Sequence, residues 1–128
     1  MENSITLVTP PDDINIDALR IFTYDLQPDQ SQMLSDAFSK IKQFPPTVVY
    51  VFKRGDDIKW LLDKKQKCSI MFYNAESLNQ TVVGYLAAHR NSFYFGNLMD
   101  LSGLNNNRIN DIESLIQLME VNITSYAL

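Results

Sequence analysis

Thr47-Val48-Val49-Tyr50-Val51-Phe52 is an unbroken apolar run, bounded by Pro45-Pro46 before it and Lys53-Arg54-Gly55 after it. Six residues with four β-branched members and no charge read as a strand buried on both faces, which is how strands of a parallel sheet read. A second run of the same kind, Cys68-Ser69-Ile70-Met71-Phe72-Tyr73, follows after one short polar and amphipathic stretch. Working outward, Ser92-Phe93-Tyr94-Phe95 reads as another strand, ended by Gly96-Asn97. Arg20-Ile21-Phe22-Thr23-Tyr24-Asp25 and Ile5-Thr6-Leu7-Val8-Thr9 read as two more towards the N-terminus.

The stretches between these runs have helical spacing. Pro28-Asp29 opens a first helix whose apolar face is Met33, Leu34, Ala37, Phe38 and Ile41, and Pro45-Pro46 ends the connection. Asp56-Asp57 caps a short helix with Ile58, Leu61 and Leu62 on its inner face. Asn74 to Ser77 leads into a third, with Leu78, Val82, Tyr85, Leu86 and His89 on one side. A last helix spans about 108–120, where Ile109, Ile112, Ile116 and Met119 recur at i, i+3, i+7 and i+10; residues 121–128 are expected to fray or add a short strand.

Strands alternating with helices predict an α/β domain of three layers. It has about five mostly parallel strands with helices on both faces, Rossmann-like or flavodoxin-like. Only about nine residues separate the first two strands, short for a helical crossover, so that pair is expected to be antiparallel or joined by one helical turn. With 128 residues, no internal repeat and no linker, residues 1–128 read as one domain.

Composition excludes several function classes. Eleven basic residues against fifteen acidic ones give a net charge of −4 and a pI near 4.8, the wrong sign for a non-specific nucleic-acid binder. No apolar stretch approaches the length of a membrane span. The opening Met1-Glu2-Asn3-Ser4 has neither the basic nor the apolar region of a secretory signal. The single cysteine, Cys68, excludes an internal disulfide and fits a reducing, cytoplasmic setting. Eleven Asn and eleven Ile against four Gly match the codon bias of AT-rich bacterial and phage genes.

Motifs that carry chemistry are scarce. Neither a G-x-G-x-x-G nor a G-x-x-x-x-G-K-[ST] run is present, so no nucleotide cofactor is expected. The lone His89 has a helix C-terminal setting and no spacing to Cys68 that builds a metal site. No catalytic residue is assigned. In open parallel sheets, ligands bind outside the carboxyl ends of the strands. That rule gathers Asp12, Asp13, Asp25, Asp56, Asp57, Glu76 and Asp100 at one edge, of which Asp12, Asp13 and Asp57 are the candidate Mg²⁺ ligands. Helix capping and turn solvation account for the same acids.

This arrangement resembles response-regulator receiver domains in topology alone, and the resemblance implies a regulatory domain that holds Mg²⁺ at its acidic loops. Receivers also place an acidic phosphoacceptor after a central strand and a Lys after a later one. Here Phe52 leads into Lys53 and Phe95 into Gly96, so the pattern departs at both places.

Surface features point elsewhere. Trp60 lies beside the basic run Lys59, Lys64, Lys65 and Lys67, which is otherwise the wet face of a helix. Tyr94 sits in a strand aromatic on both faces, and Leu115 and Leu118 widen the apolar arc of the last helix. The function expected is a small non-enzymatic cytoplasmic interaction or assembly module. Its partner is a protein or a second copy, with Trp60, Tyr94, Ile112, Ile116 and Met119 at the interface. The alternative is a receiver-like or nucleotide-binding regulatory domain using the acidic loops. A degenerate enzyme would need Asp25, Glu76 and His89 in one pocket.

Overall fold

The computed structural model describes residues 5–8, 19–55, 70–77, 92–96 and 108–127. Five strands form one sheet in which every pair is parallel: β1 (Ile5–Val8), β2 (Leu19–Tyr24), β3 (Thr47–Phe52), β4 (Ile70–Asn74) and β5 (Ser92–Phe95). Two helices are described, α1 (Pro28–Lys40) and α2 (Ile112–Ala127), together with a single 3₁₀ turn at Ala75–Ser77. The α/β class and the flavodoxin-like winding expected from the sequence are present.

Strand order is β1-β3-β2-β4-β5. The chain leaves β2 for β3 on one side and later reaches β4 on the other, so the topological switch point lies between β2 and β4. The order β3-β2-β4-β5 is that of a flavodoxin-like sheet, with β1 added outside β3. The first two strands therefore do not pair, antiparallel or otherwise: β3 lies between them, with Leu7 and Ile21 both opposite Val49. Beyond β5 the sheet continues for a single bridge, Tyr94 to Arg108, where the Ile109 N–H donates to the Tyr94 carbonyl at 2.8 Å.

Alternation divides the strands into two faces. On one, Leu19, Ile21, Val49, Ile70, Phe72, Phe93 and Phe95 meet Leu34, Ala37 and Phe38 of α1, Ile41 just past its end, and Leu115, Met119 and Ile123 of α2. The other carries Phe22, Tyr50, Phe52, Tyr73 and Tyr94, with Phe22 edge-on to Tyr50 at 5.0 Å between ring centres. Both faces are buried, which explains why β3 and β4 read as continuous apolar runs.

The first helix begins at Pro28 as expected, its start closed by the Gln27 N–H donating to Gln30 Oε1 at 2.8 Å. The last helix differs from expectation at both ends. It starts at Ile112, because residues 108–109 engage β5 and Asp111 Oδ1 caps the Ser114 N–H at 2.7 Å, and it runs on to Ala127. The helices expected around Ile58 to Leu62 and Leu78 to His89 lie outside the described residues.

Candidate functional site

All five strands run the same way, so their carboxyl ends share one edge. At the switch point β2 ends in Asp25, which sits in the left-handed region at φ +50°, a conformation that Asp tolerates better than most residues. Its N–H donates to the Phe52 carbonyl at 2.8 Å and ties the ends of β2 and β3 together. The Ser77 hydroxyl, presented by the 3₁₀ turn after β4, donates to Asp25 Oδ2. That bond spans the switch point and joins β2 to β4.

The end of β4 is shaped by Asn74, which is buried and accepts the Glu76 N–H on Oδ1 at 3.2 Å. This side-chain-to-backbone bond turns the chain sharply, as Asn does in many loops. Across from it β5 ends in Gly96 at φ +87°. A Cβ there would lie 3.4 Å from Glu76 Oε2 and 3.6 Å from Asn74 Oδ1, so the Glu76 side chain lies across this glycine. Asp25, Asn74, Glu76, Ser77 and Gly96 thus converge from three strands.

Beside this edge a crevice of about 550 Å³ opens between α1 and the outer strands. Val49 and Val51 of β3 and Thr23 of β2 form its floor, Ser31, Leu34, Ser35 and Phe38 its helical wall. Leu7 of β1 stands at its rim and is 72% exposed. Asp25, Leu26, Phe52 and Lys53 close its carboxyl end. A second cavity of about 340 Å³ lies near the far end of α1, bounded by Lys40, Lys42 and Glu120.

The residues singled out in the sequence fall into three groups. Asp25, Asn74, Glu76, Ser77 and Gly96 are brought together at the expected edge. Tyr94 and Met119, expected at an interface, are buried, Met119 completely; Ile112 and Ile116 are half-buried against the core. Met119 is interior because Leu115, Met119 and Ile123, at i, i+4 and i+8, form the inner seam of α2. Asp12, Asp13, Asp56, Asp57, Trp60, Cys68, His89 and Asp100 lie outside the described residues.

Among the described residues, no three His, Cys, Asp or Glu side chains stand close enough to hold a metal. Nor is any described helix long and apolar enough to cross a membrane. Sequence reading missed the crevice. The Ser31, Leu34, Ser35, Phe38 stripe on α1 was a visible signal, whereas the exposure of Leu7 depends on its strand being outermost. Comparison of the chain with protein-family models, with curated proteins and with solved structures finds no match.

Proposed function

We propose that this chain is a small, non-enzymatic, cytoplasmic interaction module that self-associates through the outer edge of β1. The observation that carries this reading is Leu7, 72% exposed on the strand that lies outermost among the described residues. Edge strands are usually guarded by a lysine, a proline or a bulge, because open backbone groups invite another strand. Ile5-Thr6-Leu7-Val8 contains no charge and no proline.

A two-fold axis normal to the sheet at Leu7 sets β1 antiparallel to its counterpart, with each Leu7 side chain against the other. The contact is self-complementary and closes as a dimer. Size-exclusion chromatography with light scattering on wild type and Leu7→Lys tests it. A dimer that becomes a folded monomer supports the reading, and a wild type monomeric at all accessible concentrations ends it.

A second reading, a regulatory domain that uses its acidic carboxyl-edge loops, is favoured by the convergence of Asp25, Glu76 and Ser77. Saturable Mg²⁺ binding that is lost in Asp25→Ala, or in alanine variants of Asp12, Asp13 or Asp57, is its distinguishing result.

A further inference from the structure

We infer that the carboxyl end of the aromatic sheet face binds a small aromatic monocarboxylate, held between the buried Tyr73 hydroxyl and the exposed Arg108 guanidinium. Strand register sets one row of side chains across this end: Phe52 beside Tyr24, Tyr24 beside Tyr73, and Tyr73 beside Tyr94. The bridge from Tyr94 to Arg108 carries the row one position further, and directly paired residues share a face of the sheet. Ile109, the next residue, is buried in the core of the opposite face, which puts Arg108 on the aromatic one.

Burial falls along this row. Tyr73 is wholly buried, Tyr94 nearly so, and Arg108 is exposed. Among the described residues, the Tyr73 hydroxyl is the one buried side-chain oxygen or nitrogen with no hydrogen-bond partner. Folded proteins leave few such groups, since the bond to water is lost and nothing replaces it; an acceptor brought by a ligand completes this one. At the open end Arg108 makes no ion pair among the described residues.

The span between the two ends fits a carboxylate. Two strand spacings separate Tyr73 from Arg108, roughly 10 Å at the backbone. A carboxylate bonded at about 2.7–2.9 Å on each side fills most of that gap, and the long arginine side chain covers the rest. The Tyr94 ring stands between them, 5.8 Å from that of Tyr73, and offers a surface for an aromatic body. Burial first, and Tyr94 second, keep the Tyr73 phenol protonated up to about pH 12, so it serves as the donor. One guanidinium balances one charge, whereas a phosphate dianion leaves a second charge unpaired beside buried rings. This row ends beyond β5 while β1 lies at the other end of the sheet, so the site does not depend on self-association.

The test is isothermal titration calorimetry of the full chain with benzoate, benzamide and inorganic phosphate, together with thermal melts. Saturable binding of benzoate is expected, with benzamide and phosphate at least about tenfold weaker. Tyr73→Phe keeps the ring and loses the donor. It should melt higher than wild type without ligand, yet bind benzoate about tenfold more weakly. A side chain that only packs does not give these opposite signs. Arg108→Met, at an exposed position, should melt like wild type and lose affinity by a similar factor.

Absence of saturable benzoate binding by wild type overturns the inference, as does wild-type affinity in Tyr73→Phe or Arg108→Met. Equal affinity for benzamide or phosphate overturns it too. A monomeric wild type that binds benzoate supports the site and ends the self-association reading alone.

Discussion

Tyr73 is fully buried, and its hydroxyl has no hydrogen-bond partner among the described residues. Burial first, and the neighbouring Tyr94 second, push its phenol up to about 12. A buried hydroxyl without a bond costs about 1–3 kcal/mol relative to a bonded one, and phenylalanine keeps the same ring. Tyr73→Phe is therefore expected to raise stability by about 1 kcal/mol in urea denaturation; a loss of that size would mean the hydroxyl is bonded. The pH dependence has a definite sign. Because the folded state holds the phenol proton more tightly than the unfolded chain, this contribution is complete below pH 10. It then falls by about 2 kcal/mol as pH rises towards 12. Alkaline melting curves should show that extra loss in wild type and lack it in Tyr73→Phe. None of this was legible in the sequence, where Tyr73 was one more aromatic in an apolar run. Asp25, by contrast, was legible as the residue that leaves β2, since a charge after an apolar run marks the strand end.

The start of α2 rests on Asp111, whose carboxyl is held below its ordinary value by the backbone N–H of Ser114, with a lesser contribution from the Ser114 side chain. A lowered folded-state value means the cap stabilises above the ordinary carboxylate range and is lost as pH falls through that lowered value. Asp111→Ala should melt at a lower temperature than wild type at neutral pH. Asp111→Ser, which keeps an acceptor, should recover most of the difference. Further along the helix the inner seam makes unequal demands. Leu115→Ala is expected to cost about 3 kcal/mol, while Val121→Ala, at a position 66% exposed, should change stability by less than about 0.5 kcal/mol. Equal losses would place both residues in the core. The periodic apolar pattern of this segment was visible in the sequence, but its phase was not. Ile109 looked like the first residue of the seam, whereas its N–H belongs to the sheet and the helix begins three residues later. In α1 the phase was legible, because Pro28 marks the start and Leu34, Ala37 and Phe38, followed by Ile41 at the C-cap, all turn inward.

The arrangement of the whole sheet decides where the molecule can meet anything else. With Leu7 exposed on β1, the proposed association through that edge would link folding to concentration. The melting temperature of wild type should then rise as protein concentration rises, and that of Leu7→Lys should stay constant; parallel behaviour would detach the edge from assembly. The carboxyl edge is built by the same arrangement. Asp25, Ser77, Glu76 and Gly96 are up to seventy-one positions apart in the chain, and only the parallel sheet brings them together. The α/β class, the apolar runs that become β3 and β4 and the first helix followed from the sequence alone. Run length, β-branching, prolines and helical spacing are local properties that each segment carries by itself. Strand order, the outer place of β1, the inner seam of α2 and the crevice beside Leu7 were decided only by tertiary structure. Each depends on which segment packs next to which, and an apolar run carries no label for its neighbour.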